Sequence, residues 1–174
     1  NISSDYADTE NAKKMALYSQ AAAVIASKAG VDGMVGGQSL DVYLTDKPMD
    51  KEQLDYIFRL KTGALIEAAF MAGGILAGCD EKTQGLLCKA GYNVGFAFQI
   101  KDDILDVTST QEVLGKPVLS DERNNKTTYV TLYGLEKAEK DTYDMSKEAM
   151  GIIKSIGHNE YLEELINMLI HRNK

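Results

Sequence analysis

Four side chains with oxygen donors lie close together where a long, nearly uncharged stretch ends at Phe98. They are Gln99, Asp102, Asp103 and Asp106. Residues three or four positions apart share one face of a helix, so this spacing places the four on one polar face. Carboxylates one turn apart repel each other unless a cation lies between them. The pattern therefore either binds a divalent cation or forms a solvated acidic helix end, as charge runs usually do.

The donor types of this cluster favour a hard cation. Carboxylate and amide oxygens suit Mg²⁺ or Ca²⁺ better than zinc, and no His or Cys lies near the cluster in the sequence. Mg²⁺ usually keeps several waters and shares its coordination with phosphate oxygens. The cluster is therefore typical of a site that holds a metal ion against a phosphate-containing ligand.

Basic residues follow the acidic cluster in a segment that breaks helical periodicity. Gly115, Pro117 and two asparagines predict a long loop over 108–126, and loops of that length are usually functional. Cations beside a metal-bound carboxylate are what a polyphosphate site requires. The charged residues of the loop include Lys116, Asp121, Arg123 and Lys126.

Lys61 and Thr62 interrupt the apolar stripe of another predicted helix. Both fall at the angular position of that stripe, so we expect them to point toward the interior. A buried lysine needs a nearby anion. The alternative is that the long side chain of Lys61 extends to the surface.

Helices must position all of these residues, because strand signals are nearly absent and strong helix formers fill the windows between glycines. Asp50 with Gln53, Asp80 and Asn159 are predicted N-terminal caps. The uncharged, small-residue stretch 90–98 predicts a helix packed on most sides. We predict an all-α protein with helices over 9–29, 34–43, 51–76, 81–107, 127–133, 135–156 and 160–171.

Two further polar patterns have ordinary explanations. Gln38 and Asp41 lie three positions apart on the second helix and predict an exposed face. The basic end that contains His171 and Arg172 suits the dipole of the last helix, the alternative being a tail that folds over an anionic ligand.

The length and composition exclude several classes of protein. A chain of 174 residues can form one domain or part of a larger one, and its start at Asn1 predicts a fragment or a processed product. A net charge of −7 argues against a general nucleic-acid binder. No apolar run approaches the roughly 18 residues of a membrane span, and no secretory signal is visible, so we expect a cytoplasmic protein. Cys79 and Cys88 are predicted to be buried, inert thiols.

The order of the motifs along the chain is more specific than any one of them. The order resembles the C-terminal half of the trans-isoprenyl diphosphate synthases, or polyprenyl synthetases, and within them the bacterial farnesyl type. The resemblance implies an all-α bundle around a central cavity, to which residues 1–174 would contribute the C-terminal portion as a single domain. The motifs, in order, are Lys61-Thr62-Gly63, Phe98-Gln99-(x)₂-Asp102-Asp103-(x)₂-Asp106, Gly115-Lys116-Pro117 and Ser120-Asp121-(x)₄-Lys126-Thr127-Thr128-Tyr129.

The resemblance also implies roles for individual residues. The carboxylates would form the second of two aspartate-rich motifs and hold Mg²⁺, or Mn²⁺ in its place. Asp102 would be the first candidate for a direct ligand. Phe98 would line the substrate channel. The metal-binding set would be Asp102, Asp103, Asp106 and, through water, Asp121. The diphosphate would be bound by Lys61, Lys116, Lys126 and Arg172. The allylic cation would face Thr62, Gln99 and the backbone carbonyl of Lys61.

By the same resemblance, the activity would be 1′-4 condensation of isopentenyl diphosphate with dimethylallyl or geranyl diphosphate to farnesyl diphosphate, in a homodimer. The first aspartate-rich motif of the family lies N-terminal to this chain, so we expect these residues alone to be inactive. Leu119 replaces the glycine usual before Ser-Asp in the family's lysine loop, which puts the turn geometry there in question. The alternatives are a longer-chain prenyl diphosphate synthase, a terpene cyclase, and a non-catalytic half-domain that serves as a binding subunit or proteolytic core.

Overall fold

The computed structural model describes the backbone of residues 2–109 and 127–172, and the side chains of 9–109, 127–169 and 171–172. This part of the chain contains helices and no strands, which confirms the predicted all-α class. The helices are α1 (Ile2–Ala29), α2 (Met34–Tyr43), α3 (Lys51–Ile57), a π-helical turn (Phe58–Gly63), α4 (Ala64–Leu76), α5 (Glu81–Thr108), α6 (Tyr129–Tyr133), α7 (Leu135–Ile156) and α8 (Glu160–His171).

The predicted caps begin the helices as expected. The side chain of Asp50 accepts a hydrogen bond from the Gln53 N–H at 2.9 Å, and the Gln53 side chain accepts one from the Asp50 N–H at 3.0 Å. Asp80 caps α5 and Asn159 caps α8 in the same way, through the N–H three residues later. These bonds satisfy donors that would otherwise have no partner in the first helical turn.

The chain is helical throughout the predicted range 51–76, but the π-helical turn Phe58–Gly63 interrupts the α-helical hydrogen-bond pattern between α3 and α4. This turn lies where α2 packs most closely: a Cβ on Gly37 would lie 2.3 Å from the backbone N of Lys61. Only glycine allows that approach. Single π turns inside helices are rare and frequently mark functional sites. Lys61 and Thr62, the two residues that interrupt the apolar stripe, lie within it.

Helix α5 is the central element and contacts α4, α6, α7 and α8. A Cβ on Gly95 would lie 2.7 Å from the Cα of Gly63, and one on Gly91 would lie 2.8 Å from the Cα of Glu67. The small residues of α5 therefore let it approach α4 and the π turn closely, and the prediction of a helix packed on most sides is confirmed. Apolar side chains around Phe96 and around Val94 form the two core clusters.

Other predictions are met in part. Helix α1 begins at Ile2 and not at residue 9. Cys79 and Cys88 are free, partly buried thiols. Burial, and then the nearby Glu67 carboxylate, raise the pKa of the Cys88 thiol, as expected for an inert cysteine. Among the helices described here, none combines the length and apolar character needed to cross a bilayer.

Candidate active site

A cavity of about 360 Å³ lies between α2, α3, the π-helical turn and α5. It brings together Lys61 and Thr62 from the π turn with residues from the far end of α5, which are separated from them by α4 in the sequence. The cavity therefore joins two of the motifs found in the sequence. Its lining residues are Asp41, Met49, Leu54, Ile57, Phe58, Lys61, Thr62, Phe98, Gln99, Asp102 and Asp103.

Asp102 faces the cavity with its carboxylate bound by a cation from the C-terminal end of the chain. Nη2 of Arg172 donates to Oδ1 of Asp102 at 2.5 Å and to the Phe98 carbonyl at 3.1 Å. The guanidinium also stacks on the Phe98 ring, 3.8 Å from its centroid. The side-chain amide of Gln99 donates to Oδ2 of Asp102 at 3.3 Å. Arg172 thus contacts two residues that line the cavity, which a role at the helix end alone would not require.

Asp103 is 8% exposed, and its carboxylate accepts a hydrogen bond that joins two helices beside the cavity. Its Oδ2 accepts a hydrogen bond from the backbone N–H of Tyr129, the first residue of α6, at 2.6 Å. The Tyr129 hydroxyl donates to Asp141 at 2.6 Å, and Lys137 pairs with the same carboxylate at 2.5 Å. Burial and the bond to Asp141 raise the pKa of Tyr129.

Asp106 lies one turn further along α5 and is 2% exposed. In the part of the chain that the structure describes, no three His, Cys, Asp or Glu side chains converge into a metal site of their own. Asp102 and Asp103 line the cavity, whereas Asp106 is buried in the helical interior. The donors at the cavity are hard oxygens, and the cation already at Asp102 is a guanidinium. The oxygen atoms at the cavity therefore fit a hard metal ion that takes its remaining ligands from a bound molecule and water.

Asp41 lines the cavity, although its spacing from Gln38 predicts an exposed face. Its Oδ2 lies 2.6 Å from Nζ of Lys61, with 16% of the Asp41 side chain and 32% of the Lys61 side chain exposed. Gln38 is exposed as predicted, but Asp41 is turned toward the π-helical turn. Lys61 therefore has the anion that an inward orientation requires. The partner was missed because it belongs to a different helix, although Gly36 and Gly37 just before it signal a close approach.

The loop lysines and one carboxylate of the predicted site lie outside the described residues. They are Lys116, Asp121 and Lys126, together with the unusual Leu119. Immediately after this segment, the hydroxyl of Thr127 accepts a hydrogen bond from the N–H of Met49 at 3.1 Å. Because Met49 lines the cavity, the chain after residue 126 resumes close to the site.

Known proteins match most of this chain. The polyprenyl synthetase family model matches residues 2–169. The farnesyl diphosphate synthase of Micrococcus luteus is 40% identical over 152 residues, which cover 87% of this chain and 52% of that protein. The geranylgeranyl diphosphate synthase of Cyanophora paradoxa is 40% identical over 128 residues, or 73% of this chain and 43% of that protein.

A solved structure shares the fold. The geranyltransferase of Helicobacter pylori, in complex with magnesium and isoprenyl diphosphate, matches 88% of this chain and 51% of its own with 31% identity and a TM-score of 0.72. The chain spans about half the length of the curated relatives it matches. The family resemblance drawn from the motifs is confirmed, and the chain belongs to the polyprenyl synthetase family.

Proposed function

We propose that this chain supplies the diphosphate-binding part of a prenyltransferase active site. One observation carries the proposal: Lys61, Thr62, Gln99 and Asp102, from two distant motifs, line one cavity. Support comes from the relatives, which include a farnesyl diphosphate synthase and a geranyltransferase bound to magnesium and isoprenyl diphosphate. In this proposal the 174 residues form a single helical unit, the C-terminal portion of a polyprenyl synthetase domain.

Asp102 is the first candidate ligand for Mg²⁺, or for Mn²⁺ in its place. Asp103, Asp106 and Asp121 complete the proposed acidic set, acting directly or through water. Bound Mg²⁺ supplies positive charge that stabilises a departing diphosphate. Asp102 is the most accessible of the described carboxylates in this set, and its present partner is a cation that a metal ion could replace.

Basic side chains of this chain bind the diphosphate oxygens in the proposal. Lys61 lies on the cavity wall, and the Nε–H of Arg172 is buried without an acceptor among the described residues, so a ligand oxygen would satisfy it. Lys116 and Lys126 are proposed to act with them. Thr127, which follows Lys126, is bonded to the cavity residue Met49.

Polar groups opposite the diphosphate stabilise the positive charge that develops on the allylic carbon. The Thr62 hydroxyl, the Gln99 side-chain carbonyl and the Lys61 backbone carbonyl are the proposed groups. Apolar side chains such as Phe58 and Phe98 line the same cavity and limit access of water, which would otherwise trap the cation. The allylic C–O bond breaks and releases diphosphate, the isopentenyl double bond attacks the resulting cation to form the new carbon–carbon bond, and the released diphosphate accepts the proton whose loss completes a 1′-4 condensation to farnesyl diphosphate.

The complete reaction is proposed to require protein beyond these residues. The first aspartate-rich motif of the family is absent from this sequence, so these 174 residues alone should not catalyse condensation. Large apolar side chains on α1 and α2 are exposed and support packing against further protein, either the other half of the domain or the second subunit of a homodimer. They include Met15, Tyr18, Ile25, Val35 and Val42. The cytoplasm is the proposed location.

A longer-chain synthase is the second candidate function. The Cyanophora paradoxa relative, a geranylgeranyl diphosphate synthase, is as similar in identity as the Micrococcus luteus farnesyl diphosphate synthase. Product analysis of a full-length protein containing this chain distinguishes the two products.

The test of the proposed site is binding of inorganic diphosphate in the presence of Mg²⁺, followed by calorimetry and by thermal unfolding. We expect binding to raise the unfolding temperature of the chain, because the ligand binds only the folded state. Lys61→Met and Asp102→Asn should each weaken binding about tenfold or more, since each removes a charge-assisted contact. Lys82→Met, an exposed lysine near the start of α5, is the matched control.

Two results would contradict the proposal. One is a chain that binds no diphosphate with Mg²⁺ present. The other is equal loss of binding in Lys82→Met and Lys61→Met, which would indicate non-specific attraction of the anion. Condensation of geranyl and isopentenyl diphosphates by the 174-residue chain alone would refute the separate proposal that it is inactive.

A further inference from the structure

We propose that Asp41 is a positioning residue that holds the Lys61 ammonium on the α2 wall of the cavity and thereby keeps this ammonium from competing with a metal ion for Asp102. The inference rests on the proposed function, because it assigns a role within the same site. In this proposal Asp41 acts through Lys61 and does not bind the diphosphate itself.

The geometry of the pair is that of a strong, directed interaction. Nζ of Lys61 and Oδ2 of Asp41 are 2.6 Å apart, and the Asp41 side chain is only 16% exposed. Partial burial reduces the screening by water that weakens surface ion pairs. The pair therefore fixes the end of a long side chain that has many rotamers of its own.

The carboxylate itself is fixed by the packing of α2. Asp41 lies one turn after Gly37 on the same helix face, and a Cβ on Gly37 would lie 2.3 Å from the Lys61 backbone N. The contact is between backbones, so α2 and the π-helical turn cannot move apart or slide without breaking it. Asp41 is thus held at a set distance from the residue it positions.

The charges around the cavity explain why positioning is needed. Asp41 lies on one wall, and Asp102 and Asp103 lie on α5, so three carboxylates and Lys61 line the same space. Without Asp41, the ammonium of Lys61 would be drawn toward the carboxylates of α5. It would then compete with a metal ion for Asp102 and narrow the space for a diphosphate. Asp41 prevents this by binding the ammonium at α2.

The experiment is a double-mutant cycle on binding of inorganic diphosphate in Mg²⁺, measured by calorimetry on the 174-residue chain. We compare the unmodified chain, Asp41→Ala, Lys61→Met and the double variant. Asp41→Ala should weaken binding about tenfold, and it should have no further effect when Lys61 is already Met, because Asp41 acts through Lys61. A residue needed only for the fold would weaken binding in both backgrounds.

Two more variants keep the test decisive. Asp41→Asn preserves the shape and one acceptor but removes the charge, so it should fold normally and bind about threefold more weakly, between the unmodified chain and Asp41→Ala. Asp32→Ala, an exposed carboxylate just before α2, is the control and should bind normally. Far-UV circular dichroism verifies that each variant is folded.

The possible failures are distinguishable. If the unmodified chain binds diphosphate and Lys61→Met does not, but Asp41→Ala and Asp41→Asn bind normally, the positioning role of Asp41 is wrong and the proposed function stands. Equal losses for Asp41→Ala in both Lys61 backgrounds also overturn the positioning role. If the unmodified chain binds no diphosphate, both proposals fail.

Discussion

The backbone N–H of Tyr129 donates to the Oδ2 atom of Asp103 at 2.6 Å, which joins the end of α5 to the first residue of α6. A carboxylate at this position satisfies a donor that the first turn of a helix leaves without a partner and complements the helix dipole. Asp102, its neighbour, faces the cavity and pairs with Arg172. Two adjacent aspartates of one motif thus have different surroundings and should respond differently to substitution.

Asp103→Ala should destabilise the fold more than Asp102→Ala. The first leaves a buried N–H without an acceptor, at a cost of about 1–3 kcal/mol. The second removes a carboxylate that is 41% exposed, whose ion pair contributes less than about 1 kcal/mol because water screens it. Urea denaturation followed by far-UV circular dichroism measures both free energies of unfolding. Asp103→Asn retains an acceptor and should lie between them; equal losses for the two alanine variants would refute a structural role for Asp103.

Hydrogen bonds from the Tyr129 hydroxyl and from Lys137 to the Asp141 carboxylate predict a pH-dependent contribution to stability. Burial alone would raise the pKa of Asp141, but hydrogen bonds from Lys137 and Tyr129 outweigh it and lower the pKa below its ordinary value. A carboxyl with a lowered pKa in the folded state stabilises the fold above its unfolded pKa of about 3.9, and this stabilisation is lost as the pH falls through the folded pKa.

Asp141→Asn should therefore be less stable than the unmodified chain at pH 7, by about 1 kcal/mol. The difference should begin to shrink as the pH falls below about 4 and should approach zero below the lowered pKa of the folded carboxyl, where that carboxyl is protonated. Urea unfolding across this pH range is the measurement. Tyr129→Phe, which removes one of the two bonds and leaves the ion pair with Lys137, should show a smaller pH dependence. A difference that stays constant across the range would contradict the assignment of the pKa shift.

Glycine substitutions test the close approach of α2 to the π-helical turn. In Gly37→Ala the new Cβ would lie 2.3 Å from the Lys61 backbone N, and backbone atoms cannot move away cheaply. We expect a loss of about 2 kcal/mol or more in the free energy of unfolding. Gly73→Ala is the control, because no atom lies within 4 Å of its new Cβ, and alanine in a helix should stabilise by up to about 1 kcal/mol. Thermal unfolding of the two variants should shift in opposite directions.

Local sequence patterns predicted most of the fold because each depends on neighbouring residues. The bond between Asp50 and Gln53 and the glycine that follows α1 are local, and so the start of α3 and the end of α1 could be deduced from them. The pairing of Asp41 with Lys61 joins two helices, and no local pattern specifies it. The position of the π turn is likewise not specified by a local pattern, since the turn lies where α2 packs against the chain. The spacing of the acidic cluster predicts one shared polar face, but the burial of Asp106 depends on packing around α5 that spacing alone does not show.

The reactivity of Cys88 tests the polar cluster between α1, α4 and α5. Burial is the main cause of its raised pKa, and the Glu67 carboxylate, which is paired with Lys28, is the second. In a Cys79→Ser background, alkylation of Cys88 by iodoacetamide at about pH 8 should be slower than that of an unhindered thiol, because only the thiolate reacts. Glu67→Gln should raise the rate, since it removes a negative charge and leaves the Lys28 ammonium nearby. A lower or unchanged rate in folded Glu67→Gln would show that Glu67 does not control the thiol.

Arg172 connects the C-terminal end of the chain to the proposed metal ligand. Its guanidinium occupies Oδ1 of Asp102, so in the absence of diphosphate it competes with a cation for that oxygen. Arg172→Gln should therefore bind Mg²⁺ alone a few-fold more tightly. The same variant should bind diphosphate with Mg²⁺ about tenfold more weakly, because a donor for the phosphate oxygens is lost.

These opposite changes distinguish a binding role from a role in the fold. Loss of structure in Arg172→Gln would weaken both equilibria, whereas removal of a competing cation strengthens the first and weakens the second. Calorimetric titrations with Mg²⁺ alone, and then with diphosphate at saturating Mg²⁺, measure the two affinities separately. Arg59→Gln, which removes an exposed arginine from the π-helical turn, should leave both unchanged. Weaker binding of Mg²⁺ alone by folded Arg172→Gln would show that the guanidinium supports the metal site and does not compete with it.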